Sequence, residues 1–335
     1  MKRLLIFIIS LLLVSILVSC GNESNLPKEV RVGYYPGWPC TYQAGQAKGW
    51  FEDEMGTKVV FREFDTPSQI ATAIISGDLD LAYSMGSIPF TIGVSSKVPY
   101  TLVGIAVSYL ENDNCVVRNG SGVSRPADLA GKKVGVPFGS TSHYNLLTIL
   151  QKSGVDPGTL ELYDMAPQDI TSAMKRKDID CGCAWEPAVS AMLEDGELLV
   201  DAGQKEEWGM KVFDIIVAGD SFKKKYPDLI TKFLSVVDRA TFYYREHPEE
   251  SSALIAEIAG LTPEQTEMIL SKTKFLVRDE QLQEQWLGTK ENPGEAADFL
   301  KKVALFLKEQ GELENVLDDY SVTIDQQYYE KVKNQ

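Results

Sequence analysis

Apolar residues along this chain come in short β-type runs separated by stretches with helical spacing. Residues 30–35 and 58–64 read as strands, with a helix expected over 42–55 between them. A helix over 68–76 follows, then apolar strands over 79–84 and 100–107 with a helix over 88–95 between the two. A similar series comes next: strand 133–137, helix 142–152, strand 160–163, helix 168–175 and strand 179–184. The helix over 142–152 carries Leu146, Leu147, Ile149 and Leu150 on its inner side. Residues 214–218 read as a last strand, and from Lys224 onward the pattern is almost wholly helical. There Ala296, Phe299, Leu300, Val303, Ala304 and Leu307 recur at i, i+3 and i+4, the stripe of an amphipathic helix.

This βαβα order predicts an α/β fold with mainly parallel sheets flanked by helices. Two such units followed by helices suit two lobes joined by strands that cross between them, first near 115–119 and again near 217–220. The expected division is therefore lobe 1 over 29–117 and 219–335, and lobe 2 over 118–218. Ligands of open α/β sheets lie beyond the carboxyl ends of the strands, which in a two-lobed chain is the cleft between lobes.

The first 19 residues have another character. Lys2 and Arg3 precede an unbroken apolar run over 4–18, the layout of a secretory signal. At about 15 residues the run is shorter than the roughly 20 of a spanning helix. Leu17-Val18-Ser19-Cys20 resembles a bacterial lipobox, which implies diacylglycerol on the Cys20 sulfur and cleavage before it. A plain signal peptide and an uncleaved anchor are the alternatives. Residues 20–28 then read as a polar tether closed by a proline.

The formal charge of −15 speaks against a nucleic-acid partner, since an acidic surface repels phosphate backbones. It suits a protein standing off an anionic membrane. Beyond Cys20 lie Cys40, Cys115, Cys181 and Cys183, whose spacing does not read as a disulfide framework. Cys181-Gly182-Cys183 has one residue between the sulfurs, where zinc sites have two to four, and only His143 and His247 are present. No metal or cofactor is expected.

Several strands end in a polar turn that opens a helix. In Val136-Pro137-Phe138-Gly139-Ser140-Thr141-Ser142-His143, Gly139 lets the backbone approach a ligand and Ser140 or Thr141 can cap the helix. Unpaired first-turn amides beside the hydroxyls of Ser140, Thr141 and Ser142 form an anion pocket without a formal positive charge. Met85-Gly86-Ser87-Ile88-Pro89 repeats the arrangement, with Ser87 as the cap. Ordinary helix capping is the alternative for both. For a cationic group the candidates are Glu186, which follows Trp185 at the end of a strand, and Asp214, a carboxylate at the head of an apolar strand. Tyr35 and Trp38 after the first strand, with Trp185, would add aromatic walls and cation–π attraction. Glu186 has a simpler reading as an acid in the first turn of a helix. No nucleophile–base motif accompanies His143, so an enzyme is not expected.

At these motifs the chain resembles the taurine-binding members of the nitrate/sulfonate/taurine family of ABC-transporter substrate-binding proteins. The resemblance runs from about Val30 to about Tyr328. It rests on Ile75-Ser76-Gly77-Asp78-Leu79-Asp80, on the two helix-opening turns, on Ile179-Asp180 through Trp185-Glu186-Pro187-Ala188-Val189, and on Phe306-Leu307-Lys308-Glu309-Gln310-Gly311. It implies a type-2 periplasmic binding protein fold, two lobes on a two-strand hinge. It also implies that Ser87, Ser140, Thr141 and His143 surround a sulfonate, that Asp214 meets an ammonium and that Trp185 forms a wall. The implied function is extracytoplasmic capture of a small aminosulfonate, taurine, by a monomer that is lipid-anchored to the membrane and serves ABC permease and ATPase subunits. Glu186 and the Tyr35-Pro36-Gly37-Trp38-Pro39-Cys40 loop depart from the family pattern toward a more cationic ligand, an amine or guanidino compound. A pyrimidine-precursor synthase on the same scaffold is the remaining alternative.

Overall fold

The computed structural model describes residues 26–333. The leader, the lipobox and Cys20 lie outside the described residues. Among the described residues no helix is long and apolar enough to cross a membrane.

Among the described residues eleven strands build two sheets. They are β1 (Glu29–Tyr34), β2 (Lys58–Glu63), β3 (Leu81–Gly86), β4 (Tyr100–Tyr109), β5 (Asp113–Arg118), β6 (Lys133–Val136), β7 (Glu161–Asp164), β8 (Cys181–Trp185), β9 (Gly196–Leu198), β10 (Phe213–Gly219) and β11 (Thr273–Lys274). The first sheet has the order β11-β4-β10-β3-β1-β2 and the second β7-β6-β8-β5-β9. Each is mixed. In the first, β1 runs parallel to β2 and β3, while β10 runs antiparallel to β3 and β4. In the second, β6 runs parallel to β7 and β8, while β5 runs antiparallel to β8 and β9. The parallel strands are those joined by crossover helices; β5 and β10 enter their sheets from the other lobe and so run the opposite way.

Those entering strands correct the expected boundaries. The first crossing occupies residues 110–112 rather than 115–119, because β5 already pairs in the second sheet. The return spans residues 199–212 rather than 217–220, because all of β10 pairs with β4 in the first sheet. The helix expected over 42–55 is broken into Tyr42–Ala47 and Trp50–Met55 by Gly49, which takes a left-handed φ of 70°.

The two lobes repeat one local design. Helix Pro67–Ser76 starts on Pro67 and ends on Gly77, whose N–H bonds the Ile74 carbonyl while Asp78 N–H bonds Ala73. Helix Pro167–Arg176 starts on Pro167 and ends on Lys177, whose N–H bonds Met174 while Asp178 N–H bonds Ala173. Three residues past each cap an aspartate clamps the neighbouring strand. Asp80 takes both Arg31 Nε at 2.9 Å and Nη2 at 2.7 Å, and Asp180 takes Arg118 Nη2 at 3.1 Å. These partly buried pairs hold strand ends in register.

The first lobe has one large core, in which the C-terminal helices pack on the first sheet. Helix Ala296–Glu309 buries Leu300, Val303, Ala304 and Leu307, and Phe299 leans on Phe213 at 4.7 Å between ring centroids. The second sheet has a separate core on each face. Helix Thr141–Lys152 covers one with Leu146, Ile149 and Leu150, and helix Pro167–Arg176 covers the other with Ile170 and Met174. Cys115 and Cys183 face each other across β5 and β8 and are joined by a disulfide, while Cys40 and Cys181 are free and buried.

The cap at Lys177 generates a prediction. Its φ of 65° suits glycine, the residue at the matching position of the first lobe. Lys177→Gly is expected to raise unfolding free energy by about 0.5–1 kcal/mol, measured by urea denaturation. An unchanged or lower midpoint would mean that the Lys177 side chain offsets its own backbone cost.

Candidate ligand site between the lobes

The carboxyl ends of β1, β3, β6 and β8 converge on a small cavity of about 30 Å3 between the lobes. Of the expected site residues, Tyr35, Trp38, Gly86, Ser140, Thr141, Trp185 and Asp214 line it. Gly86 has a steric reason. A side chain there would strike Thr141 Oγ1 from the opposite lobe, so only glycine lets the lobes meet at this point.

Asp214 sits at the head of β10, directly across from Gly86 at the end of β3. It is 5% exposed. Ser84 Oγ donates to its Oδ2 at 2.8 Å and Tyr109 OH to its Oδ1 at 2.9 Å. Trp38 Nε1 in turn donates to Ser84 Oγ at 2.9 Å, which orients the serine. Ser84 holds a left-handed φ of 64°, a strained conformation for a residue with a side chain. Burial raises the Asp214 pKa to about 7 against these two donors, and the charge of Asp113 adds to the rise.

Asp113 is a site residue that the sequence reading missed. At the head of β5 it lies across from Trp185 at the end of β8, the same relation that Asp214 has to Gly86. Ser142 Oγ donates to its Oδ2 at 2.8 Å and Asn145 Nδ2 to its Oδ1 at 2.9 Å. Burial raises its pKa to about 6; the ammonium of Lys205 opposes the rise. Lys205 is fully buried in the return crossing, where its Nζ donates to the carbonyls of Leu110 at 3.1 Å and Asp113 at 2.7 Å. It thereby ties the two crossing segments together. Ser84 and Tyr109 were also missed. The polar triplet Asn112-Asp113-Asn114 between two apolar strands was the available signal for Asp113.

Four expected residues stand elsewhere. Ser142 supports Asp113 and does not line the cavity. Ser87 opens helix Ser87–Ser95 with a buried hydroxyl that has no partner among the described residues. His143 stacks on Phe138 at 4.9 Å, its Nδ1 accepts from Gly139 N–H at 3.3 Å, and burial lowers its pKa against the opposing charge of Glu312. Glu186 is turned from the cavity: just ahead of helix Ala188–Leu193, its Oε2 accepts from Ser190 N–H at 2.9 Å, the helix N-terminal role that was its simpler reading.

The aromatic walls come from both lobes. Tyr35 meets Trp185 at 5.7 Å between centroids, and Trp38 meets Tyr109 at 5.2 Å. The buried hydroxyl of Tyr35 has no partner among the described residues. Of the expected anion donors two are occupied: Ser140 Oγ donates to the Pro137 carbonyl at 2.6 Å and accepts from His143 N–H, and Ser142 gives its proton to Asp113, whereas Ser87 Oγ and His143 Nε2 are buried without a partner among the described residues.

Two mixed sheets with a cleft at the carboxyl ends of their parallel strands are the architecture of a periplasmic binding protein. A family model described as NMT1/THI5 like matches residues 40–251, and the chain belongs to that family. It is 32% identical over 285 residues to the taurine-binding periplasmic protein of Escherichia coli strain K12, covering 83% of this chain and 86% of that one. It is 28% identical over 256 residues to the 4-amino-5-hydroxymethyl-2-methylpyrimidine phosphate synthase of Aspergillus parasiticus, covering 70% and 71%. Its fold is shared with the alkanesulfonate-binding protein SsuA of Xanthomonas axonopodis pv. citri, solved bound to MOPS, at a TM-score of 0.73 and 20% identity over 90% of this chain and 99% of that one.

Because burial raises Asp214, the folded chain keeps this proton where an unfolded chain, with an aspartate near ~3.9, has lost it. Without ligand, its contribution to stability is full below about pH 4 and is lost as pH rises through about 7. Asp113 acts in the same direction up to about pH 6. Unfolding free energy in urea is expected to fall from pH 5 to pH 7.5, and Asp214→Asn to flatten much of that fall. A native slope in the variant would assign the proton to other groups.

Proposed function

We propose that this protein is the extracytoplasmic solute-binding component of an ABC importer, and that its ligand carries a cationic nitrogen held by Asp214. The observation that carries the reading is a buried carboxylate, fixed by Ser84 and Tyr109, in an aromatic-walled cavity lined by both lobes. Taurine has such a nitrogen, and the Escherichia coli relative is named for it. Amines and guanidino compounds have one too. The disulfide between Cys115 and Cys183 agrees with an oxidising, extracytoplasmic setting, and a lipid on Cys20 would hold the protein at the membrane as a monomer beside its permease and ATPase.

Binding rather than turnover is supported by the chemistry of the groups near the cavity. Cys40 lies 3.9 Å from Ser84 Oγ, and burial pushes its thiol well above the usual range, away from a nucleophilic thiolate. His143, the histidine of the cleft turn, spends its Nδ1 lone pair on Gly139 N–H.

Thermal unfolding with taurine, methylammonium, guanidinium, ethanesulfonate and nitrate tests the reading. A nitrogen-bearing cation or zwitterion is expected to stabilise the native protein by about 2.7 kcal/mol at a hundredfold excess over its dissociation constant. Ethanesulfonate and nitrate are expected to give no shift, and Asp214→Asn to lose about 2–5 kcal/mol of ligand binding. Stabilisation by ethanesulfonate equal to that by any amine would overturn the role given to Asp214.

A further inference from the structure

Resting on the reading of Asp214 above, we infer that the site is built for a compact monocation, a guanidinium or small primary ammonium compound, in preference to a zwitterionic aminosulfonate. The inference comes from the pseudo-symmetric placement of two carboxylates. Each lobe sets one aspartate at the head of its entering antiparallel strand, across from the last residue of a parallel strand, so that both Asp113 and Asp214 line one cavity. Each carboxylate oxygen accepts one hydrogen bond from the protein and has capacity for another.

Charge balance selects the ligand. Lys205 is the buried cation beside this pair, and it is held on main-chain carbonyls behind Asp113. Among the described residues no Lys, Arg or His side chain lines the cavity. With both carboxylates ionised, the form that a bound cation favours, two carboxylates and one ammonium leave a single negative charge in a buried site. A ligand of charge +1 neutralises it, whereas a zwitterion leaves the excess and brings a sulfonate toward a second aspartate. Burying the excess charge is costly, so the neutral arrangement is favoured.

The space agrees, as do most of the hydroxyls around it. Ser84, Ser140 and Ser142 give their hydroxyl protons to protein acceptors, and the Tyr35 hydroxyl, without a partner among the described residues, is left as a lining donor for a ligand. Indole and phenol faces at Trp38, Trp185 and Tyr109 attract cations instead. A cavity of about 30 Å3 favours a compact ligand.

Isothermal titration of the purified protein with guanidinium chloride, methylammonium chloride, taurine and ethanesulfonate, at constant ionic strength, tests the inference. One of the two cations is expected to bind at least about tenfold more tightly than taurine. Asp113→Asn is expected to weaken that cation about tenfold or more relative to taurine, as is removal of the indole face in Trp185→Leu, which keeps the test open if the aspartate variant does not fold. Tighter binding of taurine than of both cations by the native protein overturns the inference and leaves the Asp214 reading intact. A panel on which only ethanesulfonate binds, or none of the four, overturns both.

Discussion

A carboxylate withdrawn from water must be compensated by its surroundings, and in this chain that requirement arises twice at matching places. Asp113 and Asp214 head the two strands that enter a sheet from the opposite lobe. Each is held by two side-chain donors, and each still has its pKa raised by burial. The strain at Ser84, the orientation of Trp38, the position of Asn145 and the burial of Lys205 all follow from supporting these two groups. The cavity is the place where this compensation is left incomplete.

The compensation also links the site to the hinge. Lys205 reaches from the return crossing to carbonyls at both ends of the outgoing one, so the ion that moderates Asp113 also braces the two chain passages between lobes. Repetition of the proline-started, left-handed-capped helix and its aspartate clamp gives each lobe the same rigid frame. Two similar frames bring two similar acids to one cleft.

Much of this was legible in the chain, and the exceptions have physical reasons. Most strands and helices followed from apolar periodicity, though the short β9 and β11 did not, and Asp214 stood out because a carboxylate at the head of an apolar strand needs a partner. Asp113 did not stand out, because Glu111, Asn112 and Asn114 make the same stretch look like an exposed turn although Asn112 and Asn114 are buried. The crossings were placed several residues late in both directions for the same reason: entering strands carry polar residues at their heads. Glu186 was ambiguous because an acid in the first turn of a helix and an acid facing a ligand look alike in sequence. The strain at Ser84 has no sequence signature, and the pairing of Cys115 with Cys183 depends on a register set by residues 68 positions apart.

Gly86 and Gly37 are both first-lobe glycines against which a second-lobe residue comes to rest, Thr141 on the one and Pro187 on the other. At these two points residues of different lobes meet beside the cavity. A larger side chain at either glycine would hold the two halves apart at that point. The approach of the lobes therefore depends on two positions that lack a side chain, and bulk there would be felt as a wider cleft before any solute is bound.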